Sequence, residues 1–149
     1  MTPLIQPNRW SCLAASFAMC LDISLEEVFE FLGHDGSEIL WPELGDPFRR
    51  QSFHPQEMFD LCLQHLVIPV TIEYSPTVVV DGTSYCTMSV ESCQERFQDF
   101  LQNHTGVLGG TGQTGTPHAV AWDKSKCIDP RGDSYPIDEF NPIVFFALF

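Results

Sequence analysis

The run from Cys12 to Leu21, CLAASFAMCL, is apolar on nearly every side and built largely of small residues. A helix with that surface has no face to give to water, so it must be buried, and its small side chains let other backbone come close. The runs with buried-strand character collect at the other end of the chain, at 106–112, 118–122, 126–128 and 143–149. A buried helix early and apolar strands late predict an α+β fold. In it, the N-terminal helix packs against a mostly antiparallel C-terminal sheet.

The elements between have their own signals. Ser24-Leu25-Glu26-Glu27 forms a capping box, in which the Ser24 hydroxyl satisfies the Glu27 amide and Glu27 reaches back. The helix it opens runs to about Leu32, shows Leu25, Val28, Phe29 and Leu32 on one face, and is stopped by Gly33. Residues 33–53 read as loop. Pro55 fits a first helical position, and Met58, Leu61, Cys62 and Leu66 give the next helix its apolar stripe. A strand is expected at 67–74 and a short second one at 78–80, closed by an Asp81-Gly82 turn. Phe97, Phe100 and Leu101 recur at helical spacing within 90–103. With no repeat, low-complexity tract or linker, residues 1–149 read as a single domain.

Composition narrows the partners. At 44 % hydrophobic and 18 % charged the chain is globular in character. Seven basic residues against twenty acidic ones leave a formal charge of −13, so nucleic acid is not an expected partner. The apolar runs at 12–19 and 143–149 are too short to cross a bilayer, so no membrane partner is expected. The first residues carry no basic cluster and no long apolar core, which points away from a secretory signal and toward the cytoplasm. Six cysteines without a CxxC pair read as reduced thiols, and no Cys/His cluster has metal-ligand spacing. Neither a metal nor a cofactor is expected. The glycine-rich 106–112 stretch lacks the Gly-Lys-Ser/Thr of a phosphate loop.

The residues suited to chemistry lie at the two ends. Cys12 opens the buried helix, where the positive end of the macrodipole favours a thiolate. His118 follows Gly115-Thr116-Pro117, where a loop enters a strand, and has the chemistry to take the thiol proton and return it to a leaving group. Asp129 lies on the next strand, and a turn at Asp123-Lys124-Ser125 would bring it back toward His118 to orient the imidazole. Asp123, which ends the strand His118 begins, competes for that role. Gln6 is the candidate side-chain donor to an oxyanion, beside the Cys12 amide. Each residue also has a plain structural reading: a small core residue for Cys12, a hydrogen-bonded core histidine for His118, a turn residue for Asp129. The other four histidines, His34, His54, His65 and His104, sit in a loop or near helix ends and are weaker candidates.

Gln6…Cys12-Leu13-Ala14-Ala15-Ser16…Met19, then Ile23-Ser24-Leu25-Glu26-Glu27…Gly33-His34-Asp35-Gly36, then His118-Ala119-Val120 and Asp129-Pro130-Arg131-Gly132, together resemble the C39-like branch of the papain-like cysteine peptidases. The resemblance spans almost the whole chain. It implies a papain-like fold, with Cys12 as nucleophile, His118 as base, Asp129 as orienting acid and Gln6 in the oxyanion hole. Leu13 departs from the family pattern, which often has glycine after the nucleophile. No transporter segment follows, so export-linked leader processing is not expected.

Three functions fit these residues. The first is a cysteine hydrolase that cuts a peptide or isopeptide bond in a protein or peptide substrate through a thioester. The second is an acyltransferase using the same triad, with an amine in place of water. The third is a non-catalytic peptide-binding module that keeps the cleft. Trp10, Trp41, Phe53 and the 109–115 loop are candidate cleft residues. The sequence names neither a particular substrate nor an oligomeric state.

Overall fold

A computed structural model describes residues 1–45 and 51–149. Part of the expected 33–53 loop, residues 46–50, lies outside the described residues. Four α-helices run over Cys12–Leu21 (α1), Leu25–Leu32 (α2), Pro55–Gln64 (α3) and Val90–Asn103 (α4) among the described residues. The strands are Pro69–Glu73 (β1), Thr77–Val80 (β2), Thr83–Cys86 (β3), Gly106–Thr111 (β4), Pro117–Trp122 (β5), Cys127–Ile128 (β6), Ser134–Tyr135 (β7) and Asn141–Leu148 (β8). The fold is α+β. Six strands form one antiparallel sheet in the order β1-β8-β4-β5-β6-β7, and β2 and β3 pair as a separate hairpin.

Alternation along the central strands assigns the two faces of the sheet. Val107, Ala119 and Phe146 pack with α1, α2 and α3 around Phe17, Val28, Met58 and Leu61. Their neighbours Leu108, Val120 and Phe145 pack on the opposite side with Phe97 and Leu101 of α4. The sheet is therefore buried on both faces, with three helices on one side and one on the other. Phe146 anchors the larger core, 5.9 Å from Phe17 and edge-on to Phe59 at 5.4 Å between ring centroids. Truncating a fully buried ring such as Phe17 to alanine costs about 3–5 kcal/mol.

Local chemistry explains where the elements stop. The Ser24–Glu27 capping box is formed in both directions, and Gly33 ends α2 at φ 76°, in the left-handed region that a side chain disfavours. Asp81 and Gly82 both have positive φ, which gives the β2–β3 turn the twist that a two-residue hairpin needs. In β4, a Cβ on Gly106 would lie 2.1 Å from the Phe146 carbonyl oxygen, and one on Gly110 would lie 2.1 Å from that of Asn141. Only glycine lets β4 and β8 come this close, and the register between them shifts at Gly109/Gly110.

Three features differ from the sequence expectation. Leu66 is not part of the α3 stripe; the helix ends at Gln64 and Leu66, at φ 60°, is 92 % exposed. The sheet is not confined to the C-terminal part of the chain, because β1, from the middle, joins it by pairing with the last strand, β8. The strand β3 was not anticipated, since Thr83-Ser84-Tyr85-Cys86 is exposed throughout and carries no buried alternation. No helix among the described residues is long and apolar enough to cross a membrane.

Candidate functional site

Cys12 is the first residue of α1, so its side chain stands where the helix still has unpaired amides. The turn that delivers it is organised by Asn8. The Asn8 side-chain oxygen accepts the Trp10 amide at 2.9 Å, and its carbonyl accepts the Ser11 hydroxyl at 3.1 Å. Ser11 is fully buried, and the Ala15 amide donates to its carbonyl at 2.9 Å. Sequence reasoning passed over Asn8, although an asparagine whose side chain bonds two residues on is a familiar turn former.

His118 sits at the first turn-side end of β5, opposite Gly110 of β4, and is 6 % exposed. Its Nε2 lies 2.9 Å from Asp129 Oδ1. With Nε2 committed to the carboxylate, Nδ1 is the nitrogen left for the Cys12 thiol, and the two groups are near enough for each to shift the other's ionisation. The structure thus brings Cys12, His118 and Asp129 together.

Asp129 follows β6 directly, and three donors hold its carboxylate. Oδ1 also accepts the Arg131 amide at 2.8 Å, and Oδ2 accepts the Tyr135 hydroxyl at 2.9 Å. Its main chain is fixed as well, with its amide on the Asp133 carbonyl and its carbonyl taking the Gly132 amide, both at 2.9 Å. Tyr135 carried no sequence signal, because β7 is only two residues long and depends on pairing with β6. Asp123, the competing acid, is spent elsewhere: its Oδ1 accepts the Ser125 amide and hydroxyl and the Lys126 amide, at 3.0, 2.7 and 2.9 Å. It also lies at the far end of β5 from His118, roughly 16 Å away along an extended strand.

The electrostatics follow from this wiring. Burial opposes ionisation of Cys12, but the His118 hydrogen bond and charge, with the Ala119 and Leu13 amides, bring its pKa below the usual thiol value. Burial likewise works against a charged His118, yet the hydrogen bonds and charges of Asp129 and Cys12 push it up to about 9. Burial disfavours the Asp129 carboxylate too; His118, the Arg131 amide and Tyr135 outweigh it and hold its pKa below the usual carboxylate range. Both shifts favour the thiolate–imidazolium pair relative to an isolated thiol and imidazole. Cys62 and Cys127 are pushed by burial to about 12, so neither shares this activation.

Gln6 is placed beside the same group. Its amide donates to the Pro130 carbonyl at 2.8 Å, which ties the N-terminal segment next to Asp129. Its side-chain Oε1 is buried without a hydrogen-bond partner among the described residues. A cavity of about 340 Å³ opens beside Asp129 and Tyr135, bounded by Gly112, Gln113 and Thr114 of the β4–β5 loop and by Ser134 and Pro136. Of the expected cleft residues, Trp41 is exposed, while Phe53 is buried in a stack between Phe29 and His34 and packs the core instead. The remaining histidines lie elsewhere: His34 bonds Glu57 at 2.8 Å, His54 caps the start of α3 and His65 follows its end, and His104 lies against Phe149. Comparisons of the chain with protein-family models, with characterised proteins and with solved structures return no match.

Proposed function

We propose that this protein is a cysteine hydrolase of the papain-like type, C39-like in its motifs, that cleaves a peptide or isopeptide bond. The observation that carries the reading is the continuous chain from the Cys12 thiol through the His118 imidazole to the Asp129 carboxylate, with Cys12 at a helix N-terminus. A buried core histidine has no need of a thiol beside one nitrogen and a firmly held carboxylate on the other. That arrangement suits a nucleophile, a base and the group that orients the base.

The Cys12 thiolate attacks the substrate carbonyl. The oxyanion that forms is met by the Cys12 main-chain amide, one of the unpaired donors of α1, and by the Gln6 side chain. Gln6 Oε1 has no partner to lose when the amide turns its N–H toward that charge. His118, protonated before attack, gives its Nδ1 proton to the departing amine, leaving a thioester on Cys12. Neutral His118 then takes a proton from water, which attacks the thioester, releases the acid and restores the thiolate–imidazolium pair. Throughout, Asp129 holds the ring by Nε2 and favours its charged form.

The test is cleavage of a complex peptide library by the wild type and by Cys12→Ala, read as new termini by mass spectrometry, with and without an added primary amine. New acid termini made only by the wild type support hydrolysis. Amide products that replace them when amine is present would assign acyl transfer instead. An identical peptide pool from both proteins would remove the enzymatic reading.

A further inference from the structure

We propose that Tyr135 is a positioning residue for the His118–Asp129 pair, holding the carboxylate in the rotation that His118 needs. The inference rests on the reading of Cys12, His118 and Asp129 as a catalytic set. Asp129 Oδ1 has two donors, His118 and the Arg131 amide, whereas Oδ2 has one, the Tyr135 hydroxyl. Donors on a single oxygen leave a carboxylate able to roll about the bond to its side chain. A third bond to the second oxygen fixes the plane. Oδ1 then stays on Nε2, and Nδ1 stays on the thiol.

The backbone delivers Tyr135 for this task. β7 pairs with β6 at Cys127↔Tyr135 and Ile128↔Ser134, so the phenol is held alongside the strand that Asp129 leaves. The return between them is closed by the Asp129 amide on the Asp133 carbonyl and the Gly132 amide on the Asp129 carbonyl. Tyr135 and Asp129 both line the 340 Å³ cavity, so the hydroxyl occupies the place where water from the cavity would otherwise reach Oδ2. Water is a poorer clamp because nothing fixes its position. Burial and the adjacent carboxylate raise the phenol pKa, which keeps Tyr135 a donor at every pH at which the thiolate works. The titratable groups around Asp129 are His118, Tyr135 and Cys127, with Asp133 and Glu139 lining the same cavity, the Arg131 side chain a further charge nearby and Cys12 beyond the imidazole. Cys127 stays neutral in that range.

The experiment is the pH dependence of Cys12 alkylation by iodoacetamide in the wild type, Tyr135→Phe, Asp129→Asn and the double variant, with a thermal melt of each. Tyr135→Phe keeps the ring and removes only the hydroxyl. Without the hydroxyl the carboxylate rolls away from Nε2, which weakens the imidazolium and raises the Cys12 limb by about one pH unit, up to roughly a tenfold lower rate near pH 6. The rate near pH 9 and the melting temperature should hold. Added to Asp129→Asn, the substitution should produce no further shift, because Tyr135 acts only through the carboxylate. An unchanged limb in Tyr135→Phe beside an activated wild type would overturn the role of Tyr135 alone, as would a further shift in the double variant. A wild type with an ordinary thiol limb would take down the triad reading and this inference with it.

Discussion

α1 carries a cysteine at each end, and the two have opposite chemistry. Cys12 opens the helix and Cys20 lies in its last turn, and both are partly buried in contact with the same sheet. Cys12 meets an imidazolium, main-chain amides and the positive end of the helix; its thiolate is stabilised. Cys20 donates to the Gly106 carbonyl at 3.1 Å, sits at the negative end with no basic residue in the turn, and is pushed far up by burial. Burial alone makes a cysteine inert. Activation comes from what the second half of the chain brings to one helix end, which is the link between this fold and its proposed chemistry.

The contrast can be broken in several ways. The largest effect is expected in cleavage itself: Cys12→Ala should lower it by about 10³-fold or more, whereas Cys20→Ala should leave it within about twofold, measured as initial rates on any substrate found. Next is the imidazole. His118→Ala should cut Cys12 alkylation near pH 6 by roughly a hundredfold, while Cys20 stays unlabelled in both proteins until they are denatured. Asp129→Asn should do less, about tenfold at the same pH, since the ring remains and loses its orienting charge. That variant should also bring down the upper limit of the pH–rate profile, which in the wild type lies where His118 loses its proton, at about 9.

Stability should show the smallest effects. Cys20→Ala removes a small buried side chain and should cost about 1 kcal/mol in urea unfolding. The raised His118 pKa means the folded protein holds that proton more tightly than the unfolded chain does. This stabilisation is complete below about 6.5 and disappears as pH rises through about 9. Asp129 works in the other direction: its depressed pKa stabilises above the unfolded carboxylate value, near 3.8, and is lost as pH falls through the folded one. Unfolding measured from pH 6 to 10 should lose this His118 contribution in Asp129→Asn and keep it in Cys20→Ala.

Much of this was legible in the sequence wherever burial imposes a pattern. The bounds of α1 and α4 follow from apolar runs and periodicity, and those of α2 from its capping box and Gly33. The β2–β3 turn follows from Asp81-Gly82, but its second strand does not, because an exposed strand has no alternation to read. Leu66 looked like stripe and is exposed because the helix ends two residues before it. At the site, the choice between Asp123 and Asp129 turned on a turn that consumes one carboxylate and delivers the other. Tyr135 and Asn8 were missed for different reasons. Tyr135 is placed by a two-residue pairing that no local signal announces, and Asn8 by a turn that is visible only once its bonds are drawn.

The central claim is that Cys12 is a thiolate because His118 makes it one. The direct test is iodoacetamide labelling of the native protein from pH 4 to 10, with the rate at Cys12 read by peptide mass spectrometry in the wild type and in His118→Ala. The account predicts labelling that persists well below pH ~8.5, the free-cysteine value, and moves up to that value without His118. A Cys12 whose labelling follows an ordinary thiol and ignores His118 would contradict it.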